Sequence, residues 1–250
     1  NMPRKAKDIF PRGDYYLTEE ERAMVNQVCA AFDKVAVVLN VGGVVDVSWF
    51  CEDDRISSAL LAWQGGMEGG GAIAALLTGE ANPCGKLPDT FARDLSDYPS
   101  TARFHDSPHY VEYTEDIYVG YRYFETLPGA AERVCYPFGY GLSYTSFALE
   151  TAGTGAENGR IRVDVRVTNT GNCPGKEVVQ LYYSAPWGLL QKPRRCLAAF
   201  QKTALLEPGE SETVKLSFAI ADMASFDDLG KIAPSAWVLE KGRYALYMGT

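Results

Sequence analysis

The chain has 250 residues, 46% of them hydrophobic and 22% charged, which is typical of one large or two ordinary globular domains. Its net charge is −8 and its largest basic cluster is Lys192–Arg195, so we expect neither nucleic acid nor an anionic membrane as a partner. No apolar run reaches the roughly 18 residues that crossing a bilayer requires. The six cysteines form no CxxC pair, which favours separate buried thiols in a reducing, cytoplasmic compartment.

The first predicted element is a helix over residues 18–32. Thr18 and Glu21 have the spacing of a capping box, in which each residue binds the backbone of the other. Three successive glutamates also suit the positive end of the helix dipole. The apolar face of this helix is predicted from residues that recur at helical spacing: Met24, Val25, Val28, Ala31 and Phe32.

Strand, glycine-rich turn and helix then follow one another, as in an α/β domain. The apolar run Val35–Leu39 predicts a strand covered on both faces in a parallel sheet. Residues Ala59–Trp63 predict a second buried strand. Residues Ala72–Leu77 predict a short helix that ends at Gly79.

The glycines of this turn leave two interpretations. Gly69, Gly71 and Ala74 fit the GxGxx(G/A) spacing of a dinucleotide site. However, residues 64–68 separate them from the preceding strand, and Glu68 would place a negative charge beside the phosphates. We therefore favour close packing of a tight strand-to-helix turn and expect no cofactor.

Residues 80–112 are predicted to be mostly irregular, because prolines and a glycine interrupt every pattern. His105 and His109 are four residues apart, a spacing that could bind a metal on a helix. Pro108 lies between them, and no cysteine or acidic cluster completes a zinc set. We expect a solvated loop and no metal site.

Aromatic and charged residues alternate in the segment that follows, and they suggest two interpretations. A sugar-binding rim uses flat rings against C–H faces together with charged groups for the hydroxyls. The other interpretation, which we favour, is a strand whose tyrosines lie half-buried at a domain interface beside an Arg–Glu pair. The candidate residues for the edge of a substrate site are Glu115, Asp116, Tyr118, Tyr121 and Arg122.

Residues 136–147 are predicted to join two domains. Pro137, Gly139 and Gly141 exclude a regular helix there. Downstream, apolar residues alternate with polar ones with the period of half-buried strands, and turn signals separate the runs. We predict a domain over residues 1–142, an incomplete α/β sandwich with a mostly parallel sheet. A second domain over residues 143–250 is predicted to be an all-β immunoglobulin or fibronectin type III-like sandwich.

Several sequence motifs resemble the C-terminal part of glycoside hydrolase family 3 β-glucosidases. Those of the first domain are Val-Val-Leu-Asn-Val-Gly-Gly (37–43), Ala-Trp-Gln-Gly-Gly-Met-Glu-Gly-Gly (62–70), Asn-Pro-Cys-Gly-Lys-Leu-Pro-Asp-Thr-Phe (82–91), Glu-Asp-Ile-Tyr-Val-Gly-Tyr-Arg-Tyr-Phe (115–124) and Tyr-Pro-Phe-Gly-Tyr-Gly-Leu-Ser-Tyr-Thr-Ser-Phe (136–147). Asn-Thr-Gly (169–171), Gly-Lys-Glu-Val-Val-Gln-Leu-Tyr (175–182) and Glu-Pro-Gly-Glu (207–210) resemble the fibronectin type III-like domain of the same enzymes.

The resemblance implies a retaining, exo-acting enzyme that hydrolyses terminal β-linked glucose from glucosides or oligosaccharides. It places an Asp nucleophile in a (β/α)₈ barrel domain outside this chain. It places the acid/base Glu just before the motif Gly13–Leu17, and residues 1–12 contain no glutamate, so we expect that residue before Asn1. The motif also resembles a subgroup in which the barrel follows these two domains. We assign no catalytic residue to the chain and expect it to be a piece of a longer protein.

Two alternatives from other classes remain. One is a stand-alone carbohydrate-binding or scaffold module without catalysis, and the other is a nucleotide-binding α/β protein. Because only three or four strands precede Phe91, we also expect an incomplete α/β domain with an uncovered apolar face.

Overall fold

The computed structural model describes residues 15–103 and 107–250. The helices of its first domain are α1 (Glu19–Ala31), α2 (Ser48–Cys51), α3 (Gly69–Thr78) and α4 (Tyr121–Thr126). The strands of this domain are β1 (Val35–Leu39), β2 (Ile56–Leu61), β3 (Phe91–Ala92) and β4 (Val134–Tyr136). Short 3₁₀ turns cover Leu95–Asp97, Thr101–Arg103 and Ala131–Arg133.

Helix α1 confirms the predicted capping box. Thr18 Oγ1 accepts from the Glu21 backbone at 3.2 Å, and Glu21 Oε2 accepts from the Thr18 backbone at 2.8 Å. The apolar face lies open, because Met24 is 56% and Phe32 is 63% exposed and no residue of the helix is buried. Nothing in the described parts of the chain covers this face.

Strands β1 and β2 form a parallel pair, as predicted, but the prediction that both faces of the sheet are buried is wrong. Ala36 and Val38 of β1 are exposed, and only Val35 of that strand is buried. The second strand lies at Ile56–Leu61 rather than 59–63, and its middle residues are exposed. The physical reason is that this sheet has two strands among the described residues, so it lacks the layers that would cover it.

Helix α3 ends at Gly79, as predicted. Gly79 adopts φ 77° and ψ 9°, the left-handed C-cap conformation that glycine takes without strain. The predicted close packing does not explain why Gly69 and Gly71 are glycines, because a Cβ on either residue would meet open space. The close approach is at Gly65, where a Cβ would lie 2.9 Å from the Gly69 Cα.

The second domain is a two-sheet sandwich, which confirms the fold class predicted from period-two alternation. Its strands are β5 (Phe147–Glu157), β6 (Arg160–Asn169), β7 (Val178–Ser184), β8 (Cys196–Lys202), β9 (Ser211–Ala219), β10 (Ser225–Asp227), β11 (Ala236–Val238) and β12 (Ala245–Gly249). One sheet has the order β5-β6-β9 and the other the order β12-β7-β8, and every neighbouring pair is antiparallel. Strands β10 and β11 form a separate antiparallel pair.

The sandwich core is built by the inward-facing residues of both sheets. Strands β6, β7 and β9 contribute most of the buried side chains, which alternate with exposed ones along β6 and β9. The buried members are Val163, Val165, Val167, Val179, Leu181, Leu206, Val214, Leu216, Phe218 and Met223. This core is the largest apolar cluster of the described residues and makes the second domain the better packed of the two.

Residues 136–147, called the joint here, lie between the β4 strand and the sandwich. Asn82 connects both sides of it: its Oδ1 accepts from Ser143 Oγ at 2.9 Å, and its Nδ2 donates to the Pro174 carbonyl at 3.0 Å. The half-buried Lys86 ammonium lies 3.0 Å from the carboxylate of the buried Glu177. The structure thus has different sheets on the two sides of the joint, and a domain boundary at residues 142/143 stays a prediction.

Candidate functional site

The chain segment that enters the first domain is anchored by two tyrosines. Tyr15 packs edge-on against Tyr98, with 6.5 Å between the ring centres. The Tyr16 hydroxyl donates to Asp94 Oδ2 at 3.1 Å, and the Tyr15 carbonyl accepts from the Asp46 backbone at 2.8 Å. Gly13 and Asp14, the first residues of the Gly13–Leu17 motif, lie outside the described residues.

Tyr98 is the centre of this cluster. Its hydroxyl donates to the Thr90 carbonyl at 3.0 Å and accepts from the Ala92 backbone at 2.9 Å. Its ring meets Phe124 of α4 edge-on at 5.7 Å. Burial raises the pKa of Tyr98, and burial followed by the neighbouring Tyr98 phenol raises the pKa of Tyr15. Both phenols are therefore neutral at physiological pH.

The first three candidate residues lie in the loop before α4. Glu115 accepts from Ser100 Oγ at 3.0 Å, which ties this loop to the Thr101–Arg103 turn. Asp116 is exposed and adopts φ 48°, a conformation that aspartate tolerates better than most residues. The Tyr118 backbone donates to the Glu115 carbonyl at 2.8 Å and closes the turn. These three residues are thus presented on one fixed turn.

Tyr121 and Arg122, the last two candidates, face the second domain instead. The Tyr121 ring stacks on Phe138 of the joint at 4.6 Å, and its hydroxyl accepts from the Leu197 backbone of β8 at 2.8 Å. The Arg122 guanidinium lies 5.8 Å from the Tyr121 ring, and its Nε is buried without a hydrogen-bond partner among the described residues.

The interface interpretation was therefore right about Tyr121 but wrong in two details. Residues Tyr121–Thr126 form helix α4 rather than a strand, because their backbone N–H groups bind carbonyls of the preceding turn instead of a neighbouring strand. The Arg–Glu pair at this interface joins Arg195 Nε to Glu125 Oε2 at 2.8 Å and does not involve Arg122. Glu115 is held by Ser100, so it does not pair with Arg122 in the described structure.

The carboxyl ends of β1 and β2 form a second candidate area that sequence reasoning passed over. In α/β proteins this edge of a parallel sheet is where ligands bind. Trp63, just past β2, has φ 53°, an outlier for so bulky a residue. Met67 beyond it is fully exposed, and buried Asp46 accepts from Ser48 Oγ at 2.6 Å. The signal in the sequence was the abrupt end of both apolar runs in glycine-rich loops.

The described residues limit the chemistry that this area can perform. Glu112 is paired with Arg103, Glu115 with Ser100, and Asp94 with Tyr16 and Ser96, so these three carboxylates also hold the fold in place. Within residues 15–103 and 107–250, no group of three or more His, Cys, Asp or Glu side chains could hold a metal ion. His105 of the predicted loop lies outside this part of the chain. None of the helices described here is long and apolar enough to cross a membrane.

The described residues form a small α/β unit with an acid- and tyrosine-rich edge, followed by a fibronectin type III-like sandwich, which defines a two-domain α/β and all-β class of protein. Residues 2–144 match the glycosyl hydrolase family 3 C-terminal domain, and residues 177–250 match the fibronectin type III-like domain. The chain belongs to glycosyl hydrolase family 3.

Relatives and solved structures agree with this assignment. Beta-glucosidase A of Butyrivibrio fibrisolvens is 56% identical over 265 residues, which cover 100% of this chain and 32% of that protein. Beta-glucosidase of Ruminococcus albus is 44% identical, with 95% and 25% covered. The crystal structure of a beta-glucosidase from Paenibacillus barengoltzii has a TM-score of 0.90 and 51% identity, and the similarity covers 95% of this chain and 26% of that one. The chain thus spans about a third or less of the length of these proteins.

Proposed function

We propose that this chain supplies the α/β and fibronectin type III-like domains of a retaining, exo-acting β-glucosidase that removes terminal β-linked glucose from glucosides or oligosaccharides. The observation that carries the proposal is the 56% identity, over the whole chain, to a protein named Beta-glucosidase A. The beta-glucosidase 3B of Thermotoga neapolitana, solved in complex with α-D-glucose, supports it with a TM-score of 0.85 and 43% identity.

Retaining hydrolysis needs two carboxyl groups about 5–5.5 Å apart across the anomeric carbon. In this proposal, neither the nucleophile nor the acid/base is a residue of this chain. In this proposal, the chain's own part in the reaction is positioning. Tyr15 and Tyr16 hold the segment that follows the acid/base against Asp46, Asp94 and Tyr98, which fixes the direction in which that segment leaves the domain.

The five candidate residues divide into two roles under this proposal. Glu115, Asp116 and Tyr118 lie on the turn before α4 and would line the outer edge of the sugar site. Tyr121 and Arg122 pack at the joint and would hold that turn in place from behind. The open apolar face of α1 and the exposed Met67 would contact the barrel domain.

The test is a chimera in which this chain replaces the matching third of the Butyrivibrio beta-glucosidase A. We expect release of nitrophenol from nitrophenyl β-glucoside with kcat/KM within about tenfold of the parent, because the positioning contacts are retained. The isolated 250-residue chain should show no turnover above background, since both catalytic carboxylates are expected elsewhere.

Glu115→Gln and Asp116→Asn serve as the matched variants in both proteins. In the chimera, an edge role predicts a KM raised about threefold to tenfold with little change in kcat, because such contacts bind the ground state and transition state alike. A folded chimera without activity would contradict the proposed function. Turnover by the isolated chain that disappears in either variant would show that these acids are catalytic after all.

A further inference from the structure

A groove of about 550 Å³ lies at one end of the β12-β7-β8 sheet, on the second domain. It forms where β7 ends and where β8 and β12 begin, so three chain segments converge on it. Its lining consists of Ser184, Ala185, Pro186, Trp187, Arg194, Arg195, Arg243, Ala245 and Tyr247. The cluster around Tyr98 contributes no residue to the groove, whereas its lining residue Arg195 pairs with Glu125 of α4.

The groove concentrates positive charge on an acidic chain. Three of its lining residues are arginines and none is acidic, although the chain carries a net charge of −8. Arg195 is paired with Glu125 at 2.8 Å. Arg194 and Arg243 are exposed, and within the described residues neither guanidinium has an ion-pair partner. These two guanidinium groups are therefore available to an anionic ligand.

Two aromatic rings lie among the arginines. Trp187 is 71% exposed and Tyr247 is 45% exposed. The Arg195 guanidinium lies 6.0 Å from the centre of the Tyr247 ring and 5.8 Å from that of Tyr182, which holds it in position. Flat exposed rings offer a stacking surface for the C–H face of a sugar.

The Glu240 carboxylate, which is partly buried, holds the loop that carries Trp187 and Arg194. Glu240 accepts from the Leu189 backbone at 2.7 Å and the Leu190 backbone at 3.3 Å, and it pairs with the buried Lys192 ammonium. Burial of the Glu240 carboxyl acts to raise its pKa, but Lys192 and these N–H groups outweigh burial and lower that pKa. The loop is thus preorganised, which reduces the entropy that a ligand must overcome.

We propose that this groove binds acidic oligosaccharides, with Arg194 and Arg243 receiving the carboxylate of a uronic acid residue and Trp187 and Tyr247 stacking on sugar rings. Arginine binds carboxylates bidentately, and the volume is within the range of small-ligand sites. An acidic peptide fits less well, because no Leu, Ile, Val, Met or Phe side chain lines the groove to receive apolar residues. The proposal concerns binding alone and does not depend on the proposed glucosidase activity.

The experiment is isothermal titration of the 250-residue chain with trigalacturonic acid, with neutral cellotriose and with triglutamate as comparison ligands. We expect trigalacturonic acid to bind at least about tenfold more tightly than either, and more weakly at high salt. Arg194→Ser and Arg243→Ser should each weaken binding about tenfold, and Trp187→Ala by a similar factor. The matched control is Arg166→Ser, an exposed arginine on β6 in the other sheet, which should leave the affinity unchanged.

Three outcomes would overturn the proposal. Equal binding of cellotriose would remove the role of the carboxylate, and tighter binding of triglutamate would assign the groove to peptides. A loss of affinity in Arg166→Ser as large as in Arg194→Ser would mean that the acid binds through overall charge. Thermal unfolding of each variant verifies that the fold is retained, and the result is independent of any hydrolysis measured on the chimera.

Discussion

At the scale of single residues, Asn169 holds the edge of the sandwich together. Its side chain is fully buried and makes four hydrogen bonds. Oδ1 accepts from Thr145 Oγ1 at 2.7 Å and from the Gly171 backbone at 3.1 Å. Nδ2 donates to the Cys173 carbonyl at 2.9 Å and to the Leu206 carbonyl at 2.8 Å. One amide therefore satisfies polar groups from the joint, the turn after β6 and the segment before β9.

We expect Asn169→Ala to lower the free energy of unfolding by about 3 kcal/mol, because it leaves several buried donors and acceptors unpaired. Asn169→Asp keeps the two acceptor bonds but loses both donors, and it should cost a similar amount. Urea unfolding followed by tryptophan fluorescence measures both. Thr170→Ala, at the exposed neighbour, should stay within about 0.5 kcal/mol of the unmodified chain. Equal stability of the Asn169 and Thr170 variants would contradict the role given to the buried amide.

At the scale of the elements, the residue that ends helix α3, Gly79, separates the cost of a strained backbone conformation from the cost of a steric clash. Gly79 has φ 77°, and a Cβ placed there would meet no atom within 4 Å. Any cost of a side chain at this position is therefore conformational. Gly85 is a suitable comparison, since a Cβ there would also meet open space, but the backbone has no positive φ.

We expect Gly79→Ala to destabilise the first domain by about 1–2 kcal/mol, the cost of placing an L-residue in the left-handed region. Gly79→Asn should cost less, because asparagine tolerates this conformation. Gly85→Ala should be close to neutral. Thermal unfolding monitored by circular dichroism measures the three variants. A loss in Gly85→Ala that matches Gly79→Ala would mean that the strain argument is wrong.

The same elements show what could be predicted from the sequence. The capping box at Thr18 and Glu21, the C-cap at Gly79 and the alternation along β6 depend on a few neighbouring residues, and all three are confirmed. Strand β5 could not be predicted in this way, because its second half is rich in Gly, Ala and Thr and lacks large apolar residues to mark the alternation. Its pairing with β6 and the sandwich core compensate for that weak propensity.

The candidate area was less predictable, because its contacts join distant parts of the chain. Strands β1 and β2 would be buried on both faces only if other elements packed against the sheet. Their apolar runs therefore predicted more burial than this two-stranded sheet has. The position of Tyr121 against Phe138 and Leu197 depends on how the two domains meet. Composition identified Tyr121 and Arg122 as special, but periodicity could not distinguish an interface from a sugar rim. The roles of Glu115, Asp116 and Tyr118 stay predictions.

At the scale of the whole molecule, a largely buried ion pair between Lys86 and Glu177 connects the two domains. The Lys86 ammonium lies 3.0 Å from Glu177 and also donates to the Gly141 carbonyl at 3.0 Å. The Lys86 and Glu177 side chains are 13% and 9% exposed. The backbones of Gly85 and Gly141 are also in close contact, so that a Cβ on Gly141 would clash with the Gly85 carbonyl. Removing one partner would leave the other charge buried and uncompensated.

We expect Glu177→Ala to cost about 3 kcal/mol or more and to separate one calorimetric unfolding transition into two, one for each domain. The double variant Lys86→Met with Glu177→Leu should recover most of this stability, since an apolar pair of similar volume removes the uncompensated charge. Arg55→Ala, which breaks an exposed ion pair with Asp53, should change stability by less than about 1 kcal/mol. A single unchanged transition in Glu177→Ala would show that the pair does not couple the domains.

The contacts across the joint also have a kinetic consequence. Asn82 and the Pro174 carbonyl are 92 positions apart in the chain, whereas the strands of the β5–β6 hairpin are joined by a two-residue turn. Hairpins close in microseconds, but a contact over so long a separation must first overcome a large loop-closure entropy. During synthesis, residues 82–86 emerge long before residues 173–177, so we expect the first domain to take shape before the Asn82 and Lys86 contacts can form. These contacts should therefore form last during folding and break first during unfolding.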